Sequence, residues 1–271
     1  MRRYLFILLI LAAAYTGQAQ KIVLNSLWRD SNIVINGDPY DWQEPLSYYD
    51  SKAKIQYQVA NDDTALYIIL KTMDYKAQAK ILRAGMDLIL DTMGKKRGAS
   101  VLLYPLPGET RLQWIADPAE PDRQELEHPD LKTLRTEYEL ADKRIKYMDL
   151  RGLPTAIEAV NTNSPIMVAI GWDRDNVLTY EARIPFRTFY HDKLTAADAK
   201  KVISITVKVH AFDVPQPIQN GSMTDPSVSN SGMRGQGYGD TRPSMPNMAM
   251  PKTNEMAESE EVQIRMKLAV K

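Results

Sequence analysis

The chain contains no cysteine, which excludes a disulfide framework, a C-x-x-C redox or metal motif, and a lipid-bearing cysteine behind a leader. Histidine is almost as scarce: His128, His191 and His210 stand in three separate segments. No H-E-x-x-H, G-x-S-x-G or P-loop spacing accompanies them, so the common metal, nucleophile and phosphate constellations are missing. Net charge is absent too, with 34 basic against 34 acidic residues. That balance argues against a nucleic-acid footprint and against strong attraction to anionic lipid.

Long apolar runs are also lacking, with one exception at the start. Arg2 and Arg3 precede the apolar stretch Tyr4 to Tyr15, and "TGQA" closes it with small residues. This is the tripartite pattern of an export leader, and the stretch falls short of the ~20 apolar residues that a membrane-spanning helix needs. We expect cleavage after Ala19, a mature chain beginning at Gln20 without a membrane span, and a periplasmic or secreted location. Loss of Arg2 and Arg3 with residues 1–19 leaves 32 basic against 34 acidic residues. A chain of this length buries enough apolar surface to fold without disulfide staples.

What remains is rich in short apolar runs of period two, separated by turn residues. Ile33-Val34-Ile35 leads into Asn36-Gly37-Asp38, and Ile55, Tyr57 and Val59 alternate with polar residues before Asn61-Asp62-Asp63. Leu66 to Leu70 is continuously apolar, as in a strand buried on both faces. The runs at Met86–Asp91, Val101–Tyr104, Ile157–Val160, Ile166–Ile170, Leu178–Ile184, Val202–Phe212 and Val262–Val270 follow the same grammar. In "GWDRDNVLTYEARIPF", Asp173, Asp175 and Asn176 supply turn chemistry between two such runs, because short polar side chains bond nearby backbone and tolerate left-handed geometry. About ten strands at this spacing predict an all-β fold over residues 20–271, a single antiparallel β-sandwich.

Two stretches interrupt it. Residues 117–146 are charged, and Leu131, Leu134, Tyr138 and Ile145 fall loosely on a helical stripe, which predicts a partly helical surface insertion. Residues 215–259 are rich in Gly, Pro, Ser, Asn and Met and poor in large aliphatics. Such a composition cannot offset its ordering entropy, so a flexible loop is expected before the last strand.

Four segments taken together, "INGDPYDW" (Ile35–Trp42), "VANDDTALYIILKTMD" (Val59–Asp74), "MDLILDT" (Met86–Thr92) and "LTYEARIPF" (Leu178–Phe186), resemble in order and spacing the family 9 carbohydrate-binding modules and their wider DOMON-like relatives. The resemblance covers most of the chain outside the leader and the two interruptions. It implies a β-sandwich whose concave face takes up sugars or, in some relatives, haem. It also implies an aromatic clamp, one member in the loop before Met86, where this chain has Tyr75, and one just after "EARI", where it has Phe186. Both positions carry tryptophan in a strong clamp, and here neither does. From the residues alone, Phe186 reads equally as core.

Sugars dock by stacking ring faces on aromatic side chains while polar groups fix the hydroxyls. Trp28, Trp114 and Trp172 are further candidate platforms. Trp114, in "RLQWIAD" beside the charged insertion, is the better exposed of them by its neighbours, and Trp172, at the end of an apolar run, reads as core. The acid pair Asp173 and Asp175 is explained by turn formation, and a two-carboxylate hydrolase needs a pair set across a cleft, so a non-catalytic binding protein is expected. Relatives often hold calcium; Asp62, Asp63 and Asp91 could offer it oxygens, and equally serve as solvated turn acids. Met245, Met248, Met250 and Met256 suggest a separate metal reading, since thioethers prefer Cu(I), although low-complexity loops collect methionine without binding anything. The sequence therefore points first to a glycan or cell-surface polymer as partner, and alternatively to copper handling or to a structural envelope role without a small ligand.

Overall fold

The structure is a computed structural model describing residues 22–30, 33–94, 98–107, 130–160, 164–212 and 255–271. Residues 1–21, Trp114, His128, Met245, Met248 and Met250 lie outside the described residues, as do residues 117–129 and 215–254 of the two interruptions.

Among the described residues thirteen strands form two sheets. In chain order they are β1 (Leu24–Asn25), β2 (Leu27–Trp28), β3 (Tyr48–Asp50), β4 (Ile55–Asn61), β5 (Ala65–Thr72), β6 (Met86–Asp91), β7 (Ser100–Leu103), β8 (Arg144–Met148), β9 (Ile157–Ala159), β10 (Met167–Trp172), β11 (Leu178–Pro185), β12 (Val202–Val209) and β13 (Glu260–Lys267). One sheet runs β1-β13-β12-β6-β7-β8-β9, the other β10-β11-β5-β4-β2, with β3 on β4. The fold is an all-β sandwich. It is not wholly antiparallel, because β1 pairs with β13 and β2 with β4 in parallel. Both exceptions are two-residue strands of the N-terminal segment, which lays itself along an edge of each sheet in turn.

The core lies between the sheets and is built by alternation. Met86, Leu88 and Leu90 of β6, Ile203, Ile205, Val207 and Val209 of β12, and Val262, Ile264 and Met266 of β13 face Leu66, Ile68 and Leu70 of β5 and Leu178, Tyr180, Ala182 and Ile184 of β11. All eight residues of β5 are buried, since Ala65, Tyr67 and Ile69 point the other way into a second apolar layer with Ile33, Ile35, Trp42 and Leu46. Ile33-Val34-Ile35 is therefore not the strand that its alternation predicts. It is an extended cover: Ile33 and Ile35 fill the second layer, Val34 faces solvent, and the Val34 N–H bonds Asp41 Oδ2 at 3.0 Å instead of a strand.

The segments Ile35–Trp42 and Leu178–Phe186 meet under this cover. Glu181 of β11 is fully buried and accepts from the Asn36 N–H at 3.0 Å, the Gly37 N–H at 2.8 Å and Trp42 Nε1 at 2.7 Å. Gly37, at φ +83°, comes so near β10 that a Cβ would stand 2.5 Å from the Gly171 backbone nitrogen, so no larger residue fits. Asn61 is fully buried as well; its Nδ2 donates to the Ala269 carbonyl at 2.9 Å, and its Oδ1 accepts from the Ala269 N–H at 3.0 Å and from Ser26 Oγ. It thereby ties both ends of the described chain to the β4–β5 hairpin.

Two helices lie at one end of the sandwich. Helix α1 (Tyr75–Ala79) continues into a wider π turn over Lys80–Ala84, and α2 (Leu131–Leu140) is the helical part of the charged insertion. Among the described residues no helix is long and apolar enough to cross a membrane.

Candidate functional site

Helix α1 starts where Asp74 caps the Ala77 N–H at 2.9 Å, immediately after β5. One turn on, the fully buried Gln78 donates to the Thr72 carbonyl at 3.0 Å and to the Asn176 carbonyl at 2.8 Å, and its Oε1 accepts from Trp172 Nε1 at 3.1 Å. One amide thus joins α1, the end of β10 and the β10–β11 turn. That turn is held by Asp173, whose Oδ1 accepts from the Asp175 N–H at 2.9 Å and the Val177 N–H at 3.0 Å. Asn176 takes left-handed backbone at φ +63°, as the turn chemistry predicts.

Helix α2 closes over the same corner. Asp130 caps it through the Lys132 and Thr133 N–H groups, and Leu134 and Tyr138, one turn apart, bury its apolar side. Tyr138 meets the Trp172 ring edge-on, centroids 5.5 Å apart at 71°, and its hydroxyl shares a 2.5 Å hydrogen bond with that of Tyr104. Burial raises the pKa of both phenols, so they stay protonated and act as hydrogen-bonding groups only. On the neighbouring side of α2, Arg135 sets its guanidinium 5.0 Å from the centre of the partly exposed Trp172 ring. In front of it lies a hollow of about 470 Å³ lined by Leu131, Lys132, Arg135, Thr136, Glu139 and Asn176. The lining is polar and mixed in charge.

The predicted clamp residues do not meet. Tyr75 is exposed at the start of α1, one turn from Gln78. Phe186 is fully buried beyond the other end of β11, its ring 5.7 Å from that of Phe189, and offers no face to a sugar. Across the sheet Trp172 pairs with Leu178, and Leu178 with Thr72, whereas Pro185 pairs with Ala65. Seven strand steps of ~3.3 Å place the two clamp positions roughly 23 Å apart. Register instead brings Trp172, read from sequence as core, to the Tyr75 end. Trp28 is pinned by Asp30, with Lys271 over its ring.

Two of the three acids proposed for calcium, Asp62 and Asp91, serve the backbone. Asp62 accepts from the Thr64 and Ala65 N–H groups and from the Tyr67 hydroxyl, and Asp91 from the Met93 and Gly94 N–H groups. Among the described residues no group of three or more His, Cys, Asp or Glu could hold a metal ion.

No family model and no curated protein matches the chain. Among solved structures it is similar to a family 9 carbohydrate-binding module from Caldicellulosiruptor kristjanssonii in complex with glucose, at a TM-score of 0.37 and 7% identity over 92% of this chain and 96% of that one. It is also similar to a family 9 module from the same organism in complex with cellotriose, at a TM-score of 0.31 and 11% identity over 69% of this chain and 75% of that one.

Proposed function

We propose that this is an exported, non-catalytic protein that binds a glycan or other cell-surface polymer at the α1–α2 end of the sandwich. The observation that carries the reading is the hollow lined by Leu131, Lys132, Arg135, Thr136, Glu139 and Asn176, whose Arg135 is backed by the Trp172 ring that Gln78 fixes through the indole nitrogen. A concave site with one apolar side chain among several hydrogen-bonding groups suits a sugar ring. The four sequence motifs support the same class of ligand. Carboxylate chemistry is poorly served here: the Glu137 carboxylate receives both Nε and Nη2 of Arg83 at 2.9 Å, and that of Asp173 holds its turn. Glu139 alone among the acids lines the hollow, whereas glycoside hydrolysis uses two.

A single small platform implies affinity in the upper micromolar range, roughly −5 to −7 kcal/mol. A glycan array followed by calorimetry on the chain tests the reading, with Cu(I) titrated alongside to address Met245, Met248 and Met250. Trp172→Ala should abolish glycan binding and Tyr75→Ala should weaken it without moving the melting temperature. Phe186→Ala should cost about 3–5 kcal/mol of stability, as a buried aromatic does. Unchanged affinity in a folded Trp172→Ala chain removes the site.

A further inference from the structure

Arg135 is poorly satisfied for a charged group. Its Nε is buried and has no acceptor, and its Nη2 reaches the Asp173 carbonyl only at 3.5 Å, the outer limit of a hydrogen bond. It pairs with no carboxylate among the described residues. Two acids follow it on its own helix. Glu137 is taken by the fork of Arg83, which comes from the π turn. Glu139 is four residues on, the spacing at which helix side chains of opposite charge ordinarily pair, yet no such pair forms. Arg135 is turned onto Trp172 instead. Lys132, one turn earlier, lines the same hollow and also makes no ion pair among the described residues.

A buried donor without an acceptor is costly and calls for an explanation. A guanidinium held 5.0 Å from the centre of an indole ring and short of acceptors is suited to a planar carboxylate, which it grips through two parallel hydrogen bonds. We infer that the hollow selects an acidic glycan, one whose carboxylate meets Arg135 and Lys132 while an adjoining sugar ring rests among Leu131, Thr136 and Asn176. This rests on the glycan-binding reading and adds the charge of the ligand to it. Glu139, on the same rim, opposes the ligand's charge and limits the affinity.

A pair of ligands that share one sugar backbone makes the test: an oligogalacturonate and its fully methyl-esterified form, in which each carboxylate is replaced by a neutral ester, titrated calorimetrically into the chain, with sodium acetate as a free-anion control. The free acid should bind about tenfold or more tighter than the ester, as expected for a hydrogen-bonded charge. That advantage should shrink as salt is raised, because exposed charges are screened. It should fall to a few-fold or less in Arg135→Gln and grow in Glu139→Gln. If Arg135→Gln does not fold, Lys132→Ala, at an exposed position, should still reduce the advantage by a few-fold. Equal binding of acid and ester, or an advantage undiminished in a folded Arg135→Gln chain, overturns the acidic preference and leaves glycan binding standing. Displacement by acetate at the concentration at which the oligosaccharide itself binds reduces the site to one for simple anions and overturns it too. Failure of acid, ester and every arrayed glycan to bind removes both readings together.

Discussion

Two buried acids respond to pH in opposite senses. Burial raises the pKa of Glu181 above the ordinary 4.5, although the Gly37, Trp42 and Asn36 donors pull against it. A group raised on folding contributes stability that is complete below its unfolded pKa and is lost as pH rises through the folded one. Asp198 is buried too, but the Tyr190 hydroxyl at 2.6 Å, the Thr195 hydroxyl at 2.7 Å and N–H at 2.8 Å, and Lys201 Nζ at 3.1 Å outweigh burial and hold it well below 3.8. Its contribution is therefore present above pH 3.8 and lost as pH falls. Denaturant unfolding across acidic pH should show a steep loss of stability toward low pH that flattens in Asp198→Asn. Glu181→Gln presents an amide N–H₂ to a site made of three donors, and should cost about 2–4 kcal/mol near neutral pH for the lost acceptor and the unmet partners. A melting temperature unchanged by Glu181→Gln would mean that the N-terminal cover is not held as described. Neither role is legible in sequence: Glu181 sits in "YEARI" at an ordinary strand position, and its three partners lie about 140 residues upstream.

At the scale of elements, legibility follows how strongly burial writes itself into local pattern. Strands β6, β12 and β13 alternate cleanly because one face meets the core, and β5 is a continuous run because both of its faces do. The same rule misleads at Ile33-Val34-Ile35, where alternation serves a cover that pairs with no strand. Helix α1 is hidden for another reason. "DYKAQAKILRAG" lacks a clean apolar stripe, although Asp74 at its start and Gly85, at φ +90°, at its end are start and stop signals that could have been used. The π turn buries Lys80, which donates to the carbonyls of Glu255 and Glu258 and to the Glu260 carboxylate. A buried lysine is rare unless paired, and its partners lie about 175 residues away, so no local reading finds it. Lys80→Ala strands those acceptors and should cost about 3–5 kcal/mol, as removal of one member of a buried pair does. Chemical denaturation measures this; a loss below about 1 kcal/mol would place Lys80 among ordinary surface ion pairs.

For the whole molecule, sequence conveys the sandwich and not the register that decides which residues become neighbours. Tyr75, Trp172 and Phe186 all stand in segments legible as strands or their flanks; only the pairing of β5, β10 and β11 shows that the first two share an end and the third does not. The same topology makes the two sides of the undescribed segment between Phe212 and Glu255 unequal in importance. The Phe212 N–H bonds the Met256 carbonyl at 2.8 Å, and Met256 is buried in the core, so the chain leaves and re-enters at one point. Beyond it, β13 lies between β1 and β12 and contributes Val262, Ile264 and Met266 to the core. Deleting residues 221–250 leaves twelve residues to join two positions already in contact, and loop closure varies by only about 0.6 kcal/mol per doubling of length. The melting temperature should therefore stay within a few degrees of the parent. Ending the chain at Asn254 removes β13, uncovers the edge of β12 and cuts Ala269 from Asn61, and this shorter truncation should abolish cooperative unfolding. A truncated chain that melts like the parent would show that the last strand is not integral to the sheet.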